Sequence, residues 1–382
     1  MVAPSTDAQA ADGKRSRSSG YEYVFPAIRG VQAGREYYVT MCPLRLIPRL
    51  FLFDEEELPP EMRAQRSLNK SRVPEISRYI IENPDNYIFS ALTASVNAEV
   101  QFEPVEGGDG PEERVGTLTI PMSARFVIND GQHRRAAIQQ ALAENPDLGD
   151  ESIAIVLFLD VGLSRCQQMF ADLNRHAIRP SKSIGVLYDH RDEASAIAKL
   201  VVTRSSFFSD LTEMETSNLS TRSRKLFTLS ALYSANKALL DGIEPGSLER
   251  RVDLAAKFWQ VVADQFPEWQ QVRNRQIGAG EVRQDFIHSH GIVLQSIGKI
   301  GNSLLRQSYD PKLWEKYLRK LRDIDWHRSN AATWEGRATI GGRVSKGAAN
   351  VLLTAGYIRS VLGLPLPPDE QNAEDGFNRS GQ

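Results

Sequence analysis

Ala124-Arg125-Phe126-Val127-Ile128-Asn129-Asp130-Gly131-Gln132-His133-Arg134-Arg135-Ala136-Ala137-Ile138 decides how this chain is read. Phe126-Val127-Ile128 is a short β-branched and aromatic run of the kind that forms a buried strand. Asn129-Asp130-Gly131 then supplies turn chemistry, and Gly131 can take a backbone conformation that a Cβ disfavours. From His133 onward the residues are good helix formers. A strand therefore ends, the chain turns, and a helix opens with Arg134 and Arg135 in its first turn. Cations there oppose the helix dipole. Their placement makes sense if an anion such as phosphate sits between the arginines and the free N–H groups. A solvated basic first turn is the plain alternative.

The chain has 382 residues, 41% hydrophobic and 25% charged, which suits a soluble globular protein with room for two domains. Its formal net charge is −2, so contact with nucleic acid would have to come from local basic patches. The two cysteines, Cys42 and Cys166, are too few for a disulfide scaffold or a zinc site of their own and fit a reducing compartment. No apolar run reaches membrane-spanning length and no hydrophobic signal core opens the chain, so a cytoplasmic protein is expected.

Residues 1–20 are small and polar with the basic cluster Lys14, Arg15 and Arg17, which predicts a disordered tail. Strand patterns cover 23–25, 37–40, 86–100, 115–120 and 153–159, with a loop tip at 107–111 that makes 115–120 the far arm of a hairpin. Helical spacing covers 43–50, 67–81 (stopped by Asn83-Pro84) and 164–173. The class is α+β, with a mixed domain over 21–204. Strand signals fade after Thr203. Helical spacing at 222–240, 248–266, 281–305, 311–322 and 348–362 predicts a mostly helical domain over 205–365, followed by a flexible tail at 366–382.

Asp130-Gly131-Gln132-His133-Arg134 resembles the DGQHR motif that names a protein family, and its surroundings resemble DndB, the regulatory family of bacterial DNA phosphorothioation (Dnd) systems. The segments Gln65-Arg66-Ser67-Leu68-Asn69, Arg72-Val73-Pro74-Glu75-Ile76, Asn83-Pro84-Asp85-Asn86-Tyr87-Ile88-Phe89 and Phe170-Ala171-Asp172-Leu173-Asn174-Arg175 fit in the same order. The strand–turn–helix also resembles the phosphate-binding turn of the ParB/sulfiredoxin fold. That resemblance implies a nucleotide or phosphate site. Gly131 and Gln132 would form the turn, and His133, Arg134, Arg135 and Arg175 would hold phosphate oxygens. Asp172 and Asn174 would offer oxygens to Mg²⁺ beside a nucleoside triphosphate. Sulfiredoxin-type thiol chemistry is not expected, because Gln132 and no cysteine stands in the turn. Asp130 reads first as a helix N-cap and second as a general base. His133 has a structural alternative, in which it caps or packs.

Three basic groups in the helical half suggest a DNA surface: Arg222, Arg224 and Lys225 after the capping sequence 217–221; Arg273, Arg275 and Arg283 around Gly278-Ala279-Gly280; and Arg337, Arg343 and Lys346 around Gly341-Gly342. Each could equally be a solvated face, and no helix-turn-helix signature assigns a reading helix. The resemblance implies a repressor that binds double-stranded DNA of its own operon and works with other Dnd proteins, a homo-oligomer being compatible. The competing reading is a Mg²⁺-dependent NTPase coupled to DNA processing. Cys42, between a strand and a helix, is either a buried small residue or an acidified thiol; Cys166 reads as core. His288-Ser289-His290 lacks metal-ligand companions and reads as structural, as do Trp314, Trp326 and Trp334.

Overall fold

The computed structural model describes residues 21–51, 70–105, 110–159, 165, 168–169, 171–173, 180–243, 246–345 and 347–380. The tail expected at 1–20 lies outside them. The chain divides into two compact units, Met1–Ile178 and Arg179–Gln382. The division precedes the expected one at 204/205 because the helices of 182–204 bury Val186, Ile197, Ala198, Val201 and Val202 in the hydrophobic core of the second unit.

In the first unit, β1 (Glu22–Gln32), β2 (Arg35–Pro43), β3 (Leu92–Asn97), β4 (Gln101–Pro104), β5 (Val115–Pro121), β6 (Arg125–Asp130) and β7 (Ser152–Phe158) form one seven-stranded mixed sheet. Its order is β4-β5-β1-β2-β7-β3-β6, and only the β3–β7 pair is parallel. The expected hairpin is the β4–β5 pair, with Glu103 opposite Thr117. Alternation selects the covered face: Phe25, Ala27, Leu118, Ile120, Phe126, Ile128, Ile153, Ile155 and Leu157 point inward. Helices α1 (Ile47–Leu50), α2 (Val73–Glu82) and α3 (Gln132–Glu144) cover that face through Ile47, Leu50, Ile80, Ile138 and Ala141.

The second unit is mostly helical: α4 (Lys182–Tyr188), α5 (Glu193–Arg204), α6 (Phe208–Leu211), α7 (Leu229–Leu239), α8 (Leu248–Ala263), α9 (Pro267–Arg273), α10 (Ala279–Asp285), α11 (Gly291–Gln307), α12 (Pro311–Leu318), α13 (Ala331–Trp334), α14 (Ala348–Leu362) and α15 (Pro368–Ser380). Two short pairs interrupt the helices: parallel β8 (Thr212–Glu213) with β9 (Phe227–Thr228), and antiparallel β10 (Thr339–Ile340) with β11 (Arg343–Val344). Trp259, Trp269, Trp314 and Trp334 are fully buried, and Trp326 is nearly so, as the expected core role requires.

Three expectations fail for tertiary reasons. Residues 222–226 do not start a helix. Leu226 donates its N–H to the Leu211 carbonyl and β9 pairs with β8, so α7 begins later, capped by Thr228 Oγ1 at 3.3 Å from Ala231 N. The 281–305 pattern is two helices, because the Ile287 N–H bonds instead to the Trp326 carbonyl and His288 enters the aromatic core. Finally, most of 366–382 is the helix α15, started by Pro368 with Asp369 and Glu370 in its first turn. Glu370, fully buried, meets Arg359 Nε at 2.8 Å. Arg337 pairs with Glu374 and lies 4.5 Å from the centre of the Phe377 ring. Burial pushes the Glu370 carboxyl pKa upward against the pull of Arg359.

Candidate functional site

The DGQHR turn sits where β6 hands over to α3. Phe126 and Ile128 anchor the strand in the core, and Asn129 is fully buried. Gly131 occupies the cap position of α3 with φ +106°. A Cβ there would stand 2.4 Å from Leu92 Cδ2, so both conformation and space demand glycine. Asp130 does not cap the helix, contrary to its first sequence reading. Its Oδ2 accepts from Arg134 Nη2 at 2.6 Å.

Arg134 Nη1 also donates to the Ser90 carbonyl at 2.9 Å and to the Ser90 hydroxyl. Arg135 Nη2 donates to the Phe51 carbonyl at 2.7 Å. The charge that looked misplaced at this helix start is therefore met by one carboxylate and two main-chain carbonyls from the protein itself. His133 is half-buried beside them. Among the described residues, no hydrogen-bond partner reaches two buried polar atoms at the turn, Asn129 Oδ1 and Gln132 Nε2.

Asp172 is on an exposed helical stretch and accepts from Gln168 Nε2 at 2.7 Å. The same stretch approaches the turn at Met169, whose Sδ is 3.9 Å from Asn129 Nδ2. Asn174, Arg175 and Cys166 lie outside the described residues, as do Gln65-Arg66-Ser67-Leu68-Asn69. Among the described residues, no three His, Cys, Asp or Glu side chains converge as a metal site. Cys42 is fully buried, and burial raises its pKa to about 12, which removes the reading as an acidified thiol.

In the second unit, two of the three basic groups come together. Gly280 lets α10 approach the loop at 220–225 so closely that a Cβ would fall 1.9 Å from the Thr221 carbonyl oxygen. Arg283 Nη2 donates to the Ser220 carbonyl at 2.8 Å and the Ser223 carbonyl at 3.1 Å, and its Nε to the Ala279 carbonyl at 3.1 Å. Arg283 is thus a brace, and burial lowers its pKa. Arg222 and Arg224 on the braced loop are exposed, as are Arg273 and Arg275 just before α10. Lys225 is half-buried and donates to the Asp210 carbonyl at 2.9 Å.

The third group disperses. Arg337 is occupied by Glu374, the Leu353 carbonyl and the Phe377 ring. Arg343 is exposed on β11, and Lys346 lies outside the described residues. The Gly341 and Gly342 N–H groups both donate to the Glu335 carboxylate, and these bonds hold its pKa down. His288 and His290 are structural as expected. His288 Nδ1 accepts from Trp269 Nε1 at 2.9 Å, and burial depresses the His290 pKa to about 4.

A braced cluster of exposed guanidinium groups can grip a phosphate backbone, whereas a turn whose arginines are internally paired holds its own helix start. Over residues 25–365 the chain matches the family described as DndB: DNA-sulfur modification-associated. The chain belongs to the DndB family. DndB membership ties it to DNA sulfur modification and so to the Dnd system, whose substrate is a polyanion. No curated protein and no solved structure matches the chain. Among the described residues, no helix is long and apolar enough to cross a membrane.

Proposed function

We propose that this DndB-family chain is a DNA-binding regulator of a sulfur-modification operon and that it grips duplex DNA with the edge built from residues 220–225 and 273–283. The supporting observation is the brace: Arg283 fixes the loop bearing Arg222 and Arg224 against the helix that follows Arg273 and Arg275. A fixed cluster loses less side-chain freedom on binding than separate flexible charges do. Each phosphate it neutralises releases counterions, so affinity falls steeply with salt. Anisotropy titrations of the operon's own promoter and of a scrambled duplex, over a salt series, test the reading. Preference for the promoter with a steep salt slope supports it; equal weak binding to both overturns it.

A second reading, Mg²⁺-dependent use of a nucleoside triphosphate at the DGQHR turn, draws on the ParB/sulfiredoxin resemblance and on Asn129 Oδ1 and Gln132 Nε2, buried with no hydrogen-bond partner among the described residues. Phosphate would have to compete for Arg134 and Arg135 with the acceptors they already hold. Calorimetry with triphosphates and Mg²⁺, then phosphate release with and without DNA, tests it. No heat and no release discard it.

A further inference from the structure

Helix α9 ends in a closed pair of backbone hydrogen bonds. The Arg275 N–H donates to the Val272 carbonyl at 3.0 Å, and the Gln276 N–H donates to the Gln271 carbonyl at 2.8 Å. This reversal needs a left-handed residue at its centre, usually glycine because a Cβ is strained there. Helix α14 closes with the same two bonds, from the Gly363 N–H to the Ser360 carbonyl and from the Leu364 N–H to the Arg359 carbonyl, and it places Gly363 at the centre with φ +74°. Helix α9 places Arg275 there with φ +58°. Apart from Ala33, in the turn between β1 and β2, no other described residue with a Cβ has a positive φ.

The fold gains little from that arginine. Arg275 is exposed, and its side chain makes no hydrogen bond or ion pair with another described residue. A cation at a helix C-terminus is favourable, but Arg273 in the last turn of α9 already supplies one without a strained backbone. Left-handed backbone at a residue with a Cβ disfavours the folded state about tenfold. A phosphate contact needs no such backbone, because a long flexible side chain reaches a phosphate from many positions. A bidentate contact to a guanine edge does gain from a fixed origin, since two donors must meet O6 and N7 together. Such a contact discriminates against a wrong base by about tenfold to a hundredfold, enough to outweigh the strain. Strain kept at an exposed residue that the fold does not use points to a ligand. We infer that Arg275 is the residue of the basic edge that reads DNA sequence, its guanidinium donating to O6 and N7 of a guanine in the major groove. The inference rests on the DNA-binding reading above and adds a division of labour: Arg222 and Arg224 hold phosphates, and Arg275 selects the base.

Anisotropy titrations of the full chain with the promoter and the scrambled duplex, beside thermal melts, decide it. Arg275→Gly should have two opposite effects. It relieves the backbone, so the melting temperature should rise by about 2–4 °C. It removes the base contact, so affinity for the promoter should fall about tenfold or more while affinity for the scrambled duplex falls about threefold or less. Arg275→Lys keeps the charge and should leave the salt slope as it was, yet lose the same preference for the promoter. At one promoter guanine or more, replacement by 7-deazaguanine, which lacks the N7 acceptor, should weaken the wild-type chain and leave Arg275→Gly unaffected. Arg222→Ala should weaken both duplexes alike. A wild-type chain that binds both duplexes equally removes the DNA-binding reading and this inference with it. With the wild-type preference intact, four results overturn the inference alone: preference retained in Arg275→Gly and Arg275→Lys, equal weakening of both duplexes by Arg275→Gly, a melting temperature lowered by Arg275→Gly, or no guanine at which 7-deazaguanine separates the two proteins.

Discussion

Arg134 and Arg135 in the first unit contrast with Arg222, Arg224, Arg273 and Arg275 in the second. The first pair sits at a helix start, turned inward onto Asp130, Ser90 and Phe51. In the second set, Arg222 and Arg224 stand exposed on a loop that Arg283 braces, and Arg273 and Arg275 are exposed before α10. Both look alike as sequence, arginines beside a turn. Their chemistry differs because one set has acceptors within reach and the other has solvent. The DGQHR arginines hold acceptors of the protein itself, and the exposed second set is the surface proposed above to meet a polyanion.

Four experiments break or sharpen that contrast, taken from the largest expected effect downward. Gly131→Ala puts a Cβ into Leu92 at a positive φ and should cost about 2–4 kcal/mol, read from the denaturant midpoint. An unchanged midpoint would mean that the turn does not need its glycine. The next concerns the scaffold of the basic edge, where His290 Nε2 lies 2.9 Å from the Arg283 carbonyl oxygen. Burial holds the His290 pKa at about 4, against an ordinary value of 6.5. The unfolded chain thus binds the extra proton first. Stability is full above pH 6.5 and is lost as the pH falls toward 4, by up to about 3 kcal/mol. Melting temperatures across that window should fall, and less so in His290→Gln.

Arg134→Ala removes the partner of Asp130 and should cost about 1–2 kcal/mol while leaving DNA affinity unchanged. A loss of DNA affinity with no loss of stability would reverse the assignment of roles. Arg222→Ala and Arg224→Ala should do the opposite. Their effect on stability should stay within about 0.5 kcal/mol. The slope of log affinity against log salt should become shallower by about one for each phosphate contact removed.

Much of the first unit was legible in the sequence. The β-branched and aromatic runs at 23–25, 37–40 and 126–128 and the turn residues around Gly131 report on the backbone that carries them. The second unit was less so. Residues 222–226 have helical composition but lead into β9, which pairs with β8, and the 281–305 pattern breaks where the Trp326 carbonyl captures the Ile287 N–H. The helix at 368–380 carried a start signal in Pro368-Asp369-Glu370. Its polar composition concealed the fact that Glu370 is buried against Arg359.

By itself the sequence determined the strand–turn–helix, the need for glycine at 131, the order of a mixed unit before a helical one, and the family. These follow from propensities and spacings that act over a few residues. Only the tertiary structure decided what the cations do. Ser90 and Phe51 are 44 and 84 positions from the arginines they hold, and Ser220 is 63 from Arg283. The partner of a charge is set by packing between distant segments, so local sequence shows that a cation is present and packing settles whether it faces the protein or a ligand.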